Sequence, residues 1–246
     1  VEGQLVEESH LERLLWFVLF PALAIVILLF IGAWRKKLLK QAQTLKKREI
    51  PLPDLTHAQV RNSVIILMFL VFSKNFYTAG ISNYFQFYTI KTFGFTNAEA
   101  QLYLFYYLGA AAAGTLIGGF FGDKVGRKFI IWFSILGAAP FALWLPYADA
   151  KTTAVLVVLI GFIISSAFAS ILVYAQELLP KKIGMISGVF YGFAFGMAGL
   201  GSAVLGKLID MTSITFVYKL CSFLPLMGLT AYFLPNLRKV KTKLSE

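Results

Sequence analysis

The sequence is short of almost everything that builds a soluble catalytic domain. It has one cysteine, Cys221, which excludes an internal disulfide. Histidine occurs twice, at His10 and His57, and with a single thiol this leaves no spacing that would ligate a metal. Charged residues make up 14% of 246, where a soluble domain carries about 25%. Acidic residues are half as frequent as basic ones, 12 against 23, which gives a net charge of +11. No His/Asp/Glu constellation falls within an apolar run, so neither a cofactor nor an enzyme is expected.

What is abundant is apolar surface: 58% of residues are hydrophobic, and the mean hydropathy is +0.73. One buried core cannot use that much, and the surplus requires a lipid solvent. A bilayer's hydrocarbon is crossed by roughly 20 apolar residues in a helix, and seven runs qualify: Leu14–Trp34, Asn62–Ile90, Ala98–Phe121, Phe129–Pro146, Thr152–Tyr174, Ile183–Leu205 and Ile214–Leu234. They are too long for barrel strands and do not alternate. Backbone amides in lipid must be satisfied within the segment, so the fold class is an all-α membrane protein of about seven transmembrane helices. Thr96 and Glu99 have capping-box spacing ahead of the third run, and Pro146, Pro180 and Pro235 stand at run ends where a missing N–H is tolerated.

The basic residues are not spread along one face, as nucleic-acid binding would need. Seventeen fall on one side of the runs: eight between Arg35 and Arg61, then Lys124, Arg127, Lys128, Lys181, Lys182, Arg238, Lys239, Lys241 and Lys243. The other side has four: Arg13, Lys91, Lys151 and Lys207. The positive-inside rule places the C-terminus in the cytoplasm and Val1 outside a bacterial inner membrane. The acidic flank of Glu2, Glu7, Glu8 and Glu12 has the wrong sign for a signal peptide, so further spans are expected upstream. Four regions follow: 1–34 as one helix with its outer flank, 35–61 as a basic cytoplasmic linker, 62–237 as a six-helix bundle, and 238–246 as a cytoplasmic tail.

Three features carry chemistry. The string GFFGDKVGRK at 119–128 places Gly119, Asp123, Lys124, Gly126, Arg127 and Lys128 between two long runs. Gly126 permits a tight helix–helix turn. Asp123 can accept from a helix N-terminus or pair with a cation in one conformation only, and Arg127 and Lys128 can reach the acid Glu177. The second feature is small residues every fourth position, at Ala110, Gly114, Gly118 and Gly122, and again at Gly184, Gly188, Gly192 and Gly196. Such stripes let helices pack closely and slide. The third is Lys74, near the middle of its run, where an ammonium costs about 3 kcal/mol or more unless it faces a cavity or partner. Tyr77, Tyr84 and Tyr88 follow at helical spacing. With Ser166, Ser170 and Tyr174 of the fifth run, Lys74, Tyr77 and Tyr84 form the candidate substrate site, suited to an anionic, partly aromatic-bound ligand. Lys219, near an outer end, needs only snorkelling.

SKNFY at 73–77, AGTLIGGFFGDKVGRK at 113–128, SILGAAPFALWLPYA at 134–148, the 171–206 stretch beginning ILVYAQELLPKK, and VYKLCSFLPL at 217–226 resemble antiporters of the major facilitator superfamily. That resemblance implies a twelve-helix fold in two six-helix halves, of which this chain supplies the second, exporting a drug-like molecule in exchange for protons. It implies that the second and fifth runs line a central cavity. It also implies that the striped third and sixth runs pack against the other half, absent from this sequence. A sugar or organic-anion transporter of the same fold is the alternative. A seven-span retinal protein is the rival from another class, though Lys219 lies too close to the membrane surface and Thr215 stands where a counter-ion would be.

Overall fold

A computed structural model describes residues 22–36 and 55–237, apart from the side chain of Asp123. The chain divides into two units, Val1–Ile50 and Pro51–Glu246. In the first, residues 22–36 form a helix, α1; the rest of the expected first span lies outside the described residues, as do most of the linker and the tail.

In the second unit every described regular element is helical, and six helices are long and apolar enough to cross a membrane. They begin with α2 (His57–Phe93) and α3 (Asn97–Val125). Then come α4 (Arg127–Leu136) with α5 (Ala139–Trp144), α6 (Ala150–Ser165) with α7 (Ala167–Leu178), α8 (Ile183–Met211), and α9 (Ile214–Cys221) with a 3-10 run, Leu224–Phe233. Helix α2 starts five residues before the sequence reading, so His57–Arg61 belong to a helix and not to the linker. The cause is local: the Thr56 hydroxyl accepts the Gln59 amide, and the Gln59 side chain accepts the Thr56 amide. The expected box at Thr96 is present too, with the Glu99 carboxylate accepting the Thr96 amide at 2.9 Å. Gly94, at φ 68°, then closes α2 in the left-handed region.

Three spans read as continuous are interrupted near mid-length. Span four breaks between α4 and α5, where Pro140 offers no amide to the preceding turn. Span five breaks at Ser166, whose hydroxyl donates to the Ile163 carbonyl at 2.7 Å and also bonds the Ser134 hydroxyl. Span seven breaks at Ser222, which donates to the Lys219 carbonyl, and Pro225 then enters a ten-residue 3-10 run.

The core falls into two clusters along the bundle. One gathers Leu67, Leu70, Ile131, Ile171, Leu178 and Phe190 toward the end bearing the 119–128 turn. The other gathers Phe85, Tyr88, Leu145, Val157, Ile160 and Val217 toward the opposite end. Lys74 stands between them on α2.

Candidate functional site

Two places hold the predicted site residues. At the turn, Gly126 takes φ 115° and ψ 133° and joins α3 to α4 with no intervening loop. Only glycine adopts that backbone without strain. The turn sets Arg127 at the start of α4, where its guanidinium meets the Glu177 carboxylate of α7 at 2.6 Å. The ion pair expected from sequence is therefore made, and it ties span four to span five. Lys128 donates to the Tyr232 carbonyl at 2.8 Å, and the Lys124 ammonium lies 4.2 Å from the Phe120 ring centre. Behind the turn opens a cavity of about 540 Å³, lined among others by Arg127, Lys128, Trp132, Tyr174, Glu177 and Tyr232. The Asp123 backbone lies in α3, and its side chain lies outside the described residues.

The second place is Lys74. It is 7% exposed, and its ammonium lies 4.7 Å from the centre of the Phe168 ring on α7. No acid pairs with it among the described residues. A buried charge facing only a ring is an incomplete electrostatic arrangement, since the ring quadrupole offsets part of the desolvation cost while a carboxylate or phosphonate would offset much more. The neighbouring side chains are fixed. Ser73 donates to the Leu224 carbonyl at 2.6 Å and so ties α2 to span seven beside the lysine, while Asn75 donates within α2 to the Val71 carbonyl at 2.8 Å. The Tyr77 hydroxyl is buried with no hydrogen-bond partner among the described residues.

The other predicted binding residues are placed differently. Tyr84 donates to the Ser202 carbonyl at 2.6 Å, in the space that a side chain at Gly206 would fill, so it joins α2 to α8. Tyr174 donates to the Pro235 carbonyl at 2.6 Å and is 1% exposed. Ser166 is held by Ser134 and Ile163, and Ser170 packs against Gly122 of α3. Lys74 and Tyr77 lie one turn apart on α2, Lys74 against Phe168 and Tyr77 in the cluster with Tyr107, Tyr218 and Cys221, while the hydroxyls of Tyr84, Ser166 and Tyr174 are committed to packing. Phe168 escaped the sequence reading, which weighed the serines around it. The available signal was that Phe168 is the only aromatic between Phe162 and Tyr174 in an otherwise aliphatic and small-residue span.

The stripes separate as well. On α3, a side chain at Gly114 would overlap the Phe162 carbonyl, and one at Gly118 would overlap Ser166. That stripe is filled by span five of this same chain, while Leu102, Phe105, Leu108 and Leu116 of α3 are exposed. On α8, a side-chain carbon added at Gly188, Gly192 or Gly196 finds nothing within 4 Å. Lys219, on α9, lies 5.1 Å from the Tyr147 ring centre and is exposed, as snorkelling requires and a buried chromophore site does not.

A family model described as Major Facilitator Superfamily matches residues 5–203. The chain is similar to the fosmidomycin resistance protein of Escherichia coli (strain K12), 56% identical over 227 residues, covering 91% of this chain and 55% of that protein. It is similar to the uncharacterized MFS-type transporter YfnC of Bacillus subtilis (strain 168), at 37% over 92% of this chain and 56% of the relative. It also resembles the cis,cis-muconate transport protein of Acinetobacter baylyi (strain ATCC 33305 / BD413 / ADP1), at 26% over 82% of this chain and 50% of the relative. The chain thus spans about half the length of the curated relatives it matches. No solved structure matches it.

Proposed function

The chain belongs to the Major Facilitator Superfamily, and from that premise we propose that it supplies the substrate-contacting bundle of a proton-coupled transporter exporting a fosmidomycin-type anionic drug. The reading is carried by Lys74, a mid-membrane cation buried against Phe168 with no acid beside it among the described residues. A site of this kind gains most from a ligand that brings the missing negative charge. Tyr77 supplies a hydroxyl to orient it. In this reading the substrate meets Lys74 in a cavity shared with the rest of the transporter, which opens alternately to the two membrane faces.

The 119–128 turn then acts as the conformational lock. Arg127 and Glu177 hold spans four and five together at one face, with Gly119, Asp123, Lys124 and Lys128 completing the turn, and that face is the cytoplasmic one by charge bias. An Asp123→Asn change should slow transport while leaving ligand affinity close to its original value.

The test is a chimera in which this chain replaces the matching region of the E. coli relative in cells lacking that protein. Fosmidomycin resistance should be restored, and Lys74→Ala should abolish it at an unchanged level of protein in the membrane. Resistance that survives Lys74→Ala would sink the reading. An organic-anion transporter is the second reading, favoured by the same cation, which has no acid beside it among the described residues, and by the name of the Acinetobacter relative.

A further inference from the structure

Lys74 is the buried end of a longer feature. The Phe168 ring that faces its ammonium also contacts Tyr191 of α8 edge-on, with centroids 5.5 Å apart and planes at 66°. Tyr191 in turn stacks on Phe195, one helical turn further, at 6.3 Å and 14°. Exposure rises along this line from 7% at Lys74 to 40% at Tyr191 and 72% at Phe195. Gly188, Gly192 and Gly196 lie beside the two α8 rings on the adjoining helical rows, and each has open space where a side chain would stand. A ridge of aromatic faces therefore borders a groove without side chains, and a buried cation stands at its inner end.

We propose that Lys74, Phe168, Tyr191 and Phe195 form one binding track for an organic anion with a planar aromatic or conjugated body. Its carboxylate or phosphonate meets Lys74, and its flat part lies on Tyr191 and Phe195 over the glycine groove. The chemistry selects this class. Rings offer stacking faces, which reward a flat π-system over a saturated one of equal size. The charge at the site is positive, and the described acids of the same helices stand at their ends, Glu177 on α7 paired with Arg127 and Asp210 on α8, so none of them stands on the track to partner a cation. This inference rests on the reading that Lys74 meets substrate, and goes beyond it by fixing the shape of what is bound.

The matched probes are 2-naphthoate and its fully saturated counterpart, decahydro-2-naphthoate. Each is titrated against the full chain in lipid nanodiscs, with protein-free nanodiscs subtracted. Wild type should bind 2-naphthoate about 3- to 10-fold tighter. Tyr191→Leu and Phe195→Leu, both at exposed positions, should erase that preference while circular dichroism stays unchanged. Lys74→Gln should weaken both ligands by about tenfold or more. Equal binding of the two anions, with both sensitive to Lys74→Gln, overturns the track and leaves the Lys74 reading standing. A preference that persists in both leucine variants also overturns the track. No binding of either anion overturns the track alone, and affinities that ignore Lys74→Gln overturn both.

Discussion

Helices α3 and α8 carry the same device and use it in opposite ways. Each is 29 residues long, and each has a small residue at every fourth position. On α3 the stripe is occupied: the backbone of span five lies so close that Gly114 and Gly118 have no room for a single extra carbon. On α8 the stripe is open at four successive glycines. A repeat of small residues states that a backbone can approach; it does not state whose. What decides is the facing helix. Phe162 and Ser166, four residues apart on one face of span five, are what stand against α3.

Substituting the two stripes in parallel is the strongest way to break this comparison. Gly114→Val places two methyls and a Cβ against a backbone carbonyl that cannot rotate away, and should cost about 3 kcal/mol or more. In detergent this appears as loss of the monodisperse peak or a large fall in Tm. Gly192→Val should leave both intact. Equal damage from the two variants would mean that α8 is packed in the folded chain. Gly122→Ala serves as an internal gauge, because the atom it meets is the Ser170 hydroxyl, which can turn aside; it should be milder than Gly114→Ala.

Next in size is the turn that positions α3 against α4. Gly126→Ala forces φ 115° on a residue with a side chain and should cost about 1–3 kcal/mol. Gly94→Ala, at φ 68° in the ordinary left-handed region, should cost about 1–2 kcal/mol. Thermal unfolding of the two variants ranks them, and the reverse order would show that the α3–α4 joint relaxes. Smaller still is Glu177→Gln. The pair it breaks with Arg127 is about one-fifth to one-quarter exposed, so the loss of stability should stay within about 1 kcal/mol. Its larger effect should fall on turnover in the chimera, with Lys74-dependent ligand affinity unchanged.

Much of this was legible in the sequence, for identifiable reasons. Span length and the Thr96–Glu99 cap are local properties, and they placed the six spans of the second unit to within about six residues. The Arg127–Glu177 pair was legible because the motif supplies a cation and the end of span five supplies the acid within reach. The committed hydroxyls were not. Tyr174 finds its acceptor at Pro235 because span seven ends as a 3-10 run, and Tyr84 finds Ser202 because Gly206 leaves space for its ring. Both depend on pairings between distant helices. The interruptions themselves left a trace in Gly137, Pro140, Ser166, Ser222 and Pro225, but apolar composition hid it: a hydropathy run stays continuous across a broken helix.

The smallest effect is the most diagnostic, because stability and function should move in opposite directions. Gly192→Ala adds a methyl where nothing stands within 4 Å. Removing a helical glycine narrows the unfolded ensemble and should stabilise the chain by about 0.5–1 kcal/mol, seen as a small rise in Tm. If the α8 groove is where a flat substrate lies or where the rest of the transporter packs, that same methyl occupies functional space, and resistance in the chimera should fall as Tm rises. A methyl that raises Tm and leaves resistance untouched would make the open stripe a lipid-facing surface. A methyl that lowers Tm would mean the groove is already filled by the chain itself, as it is on α3.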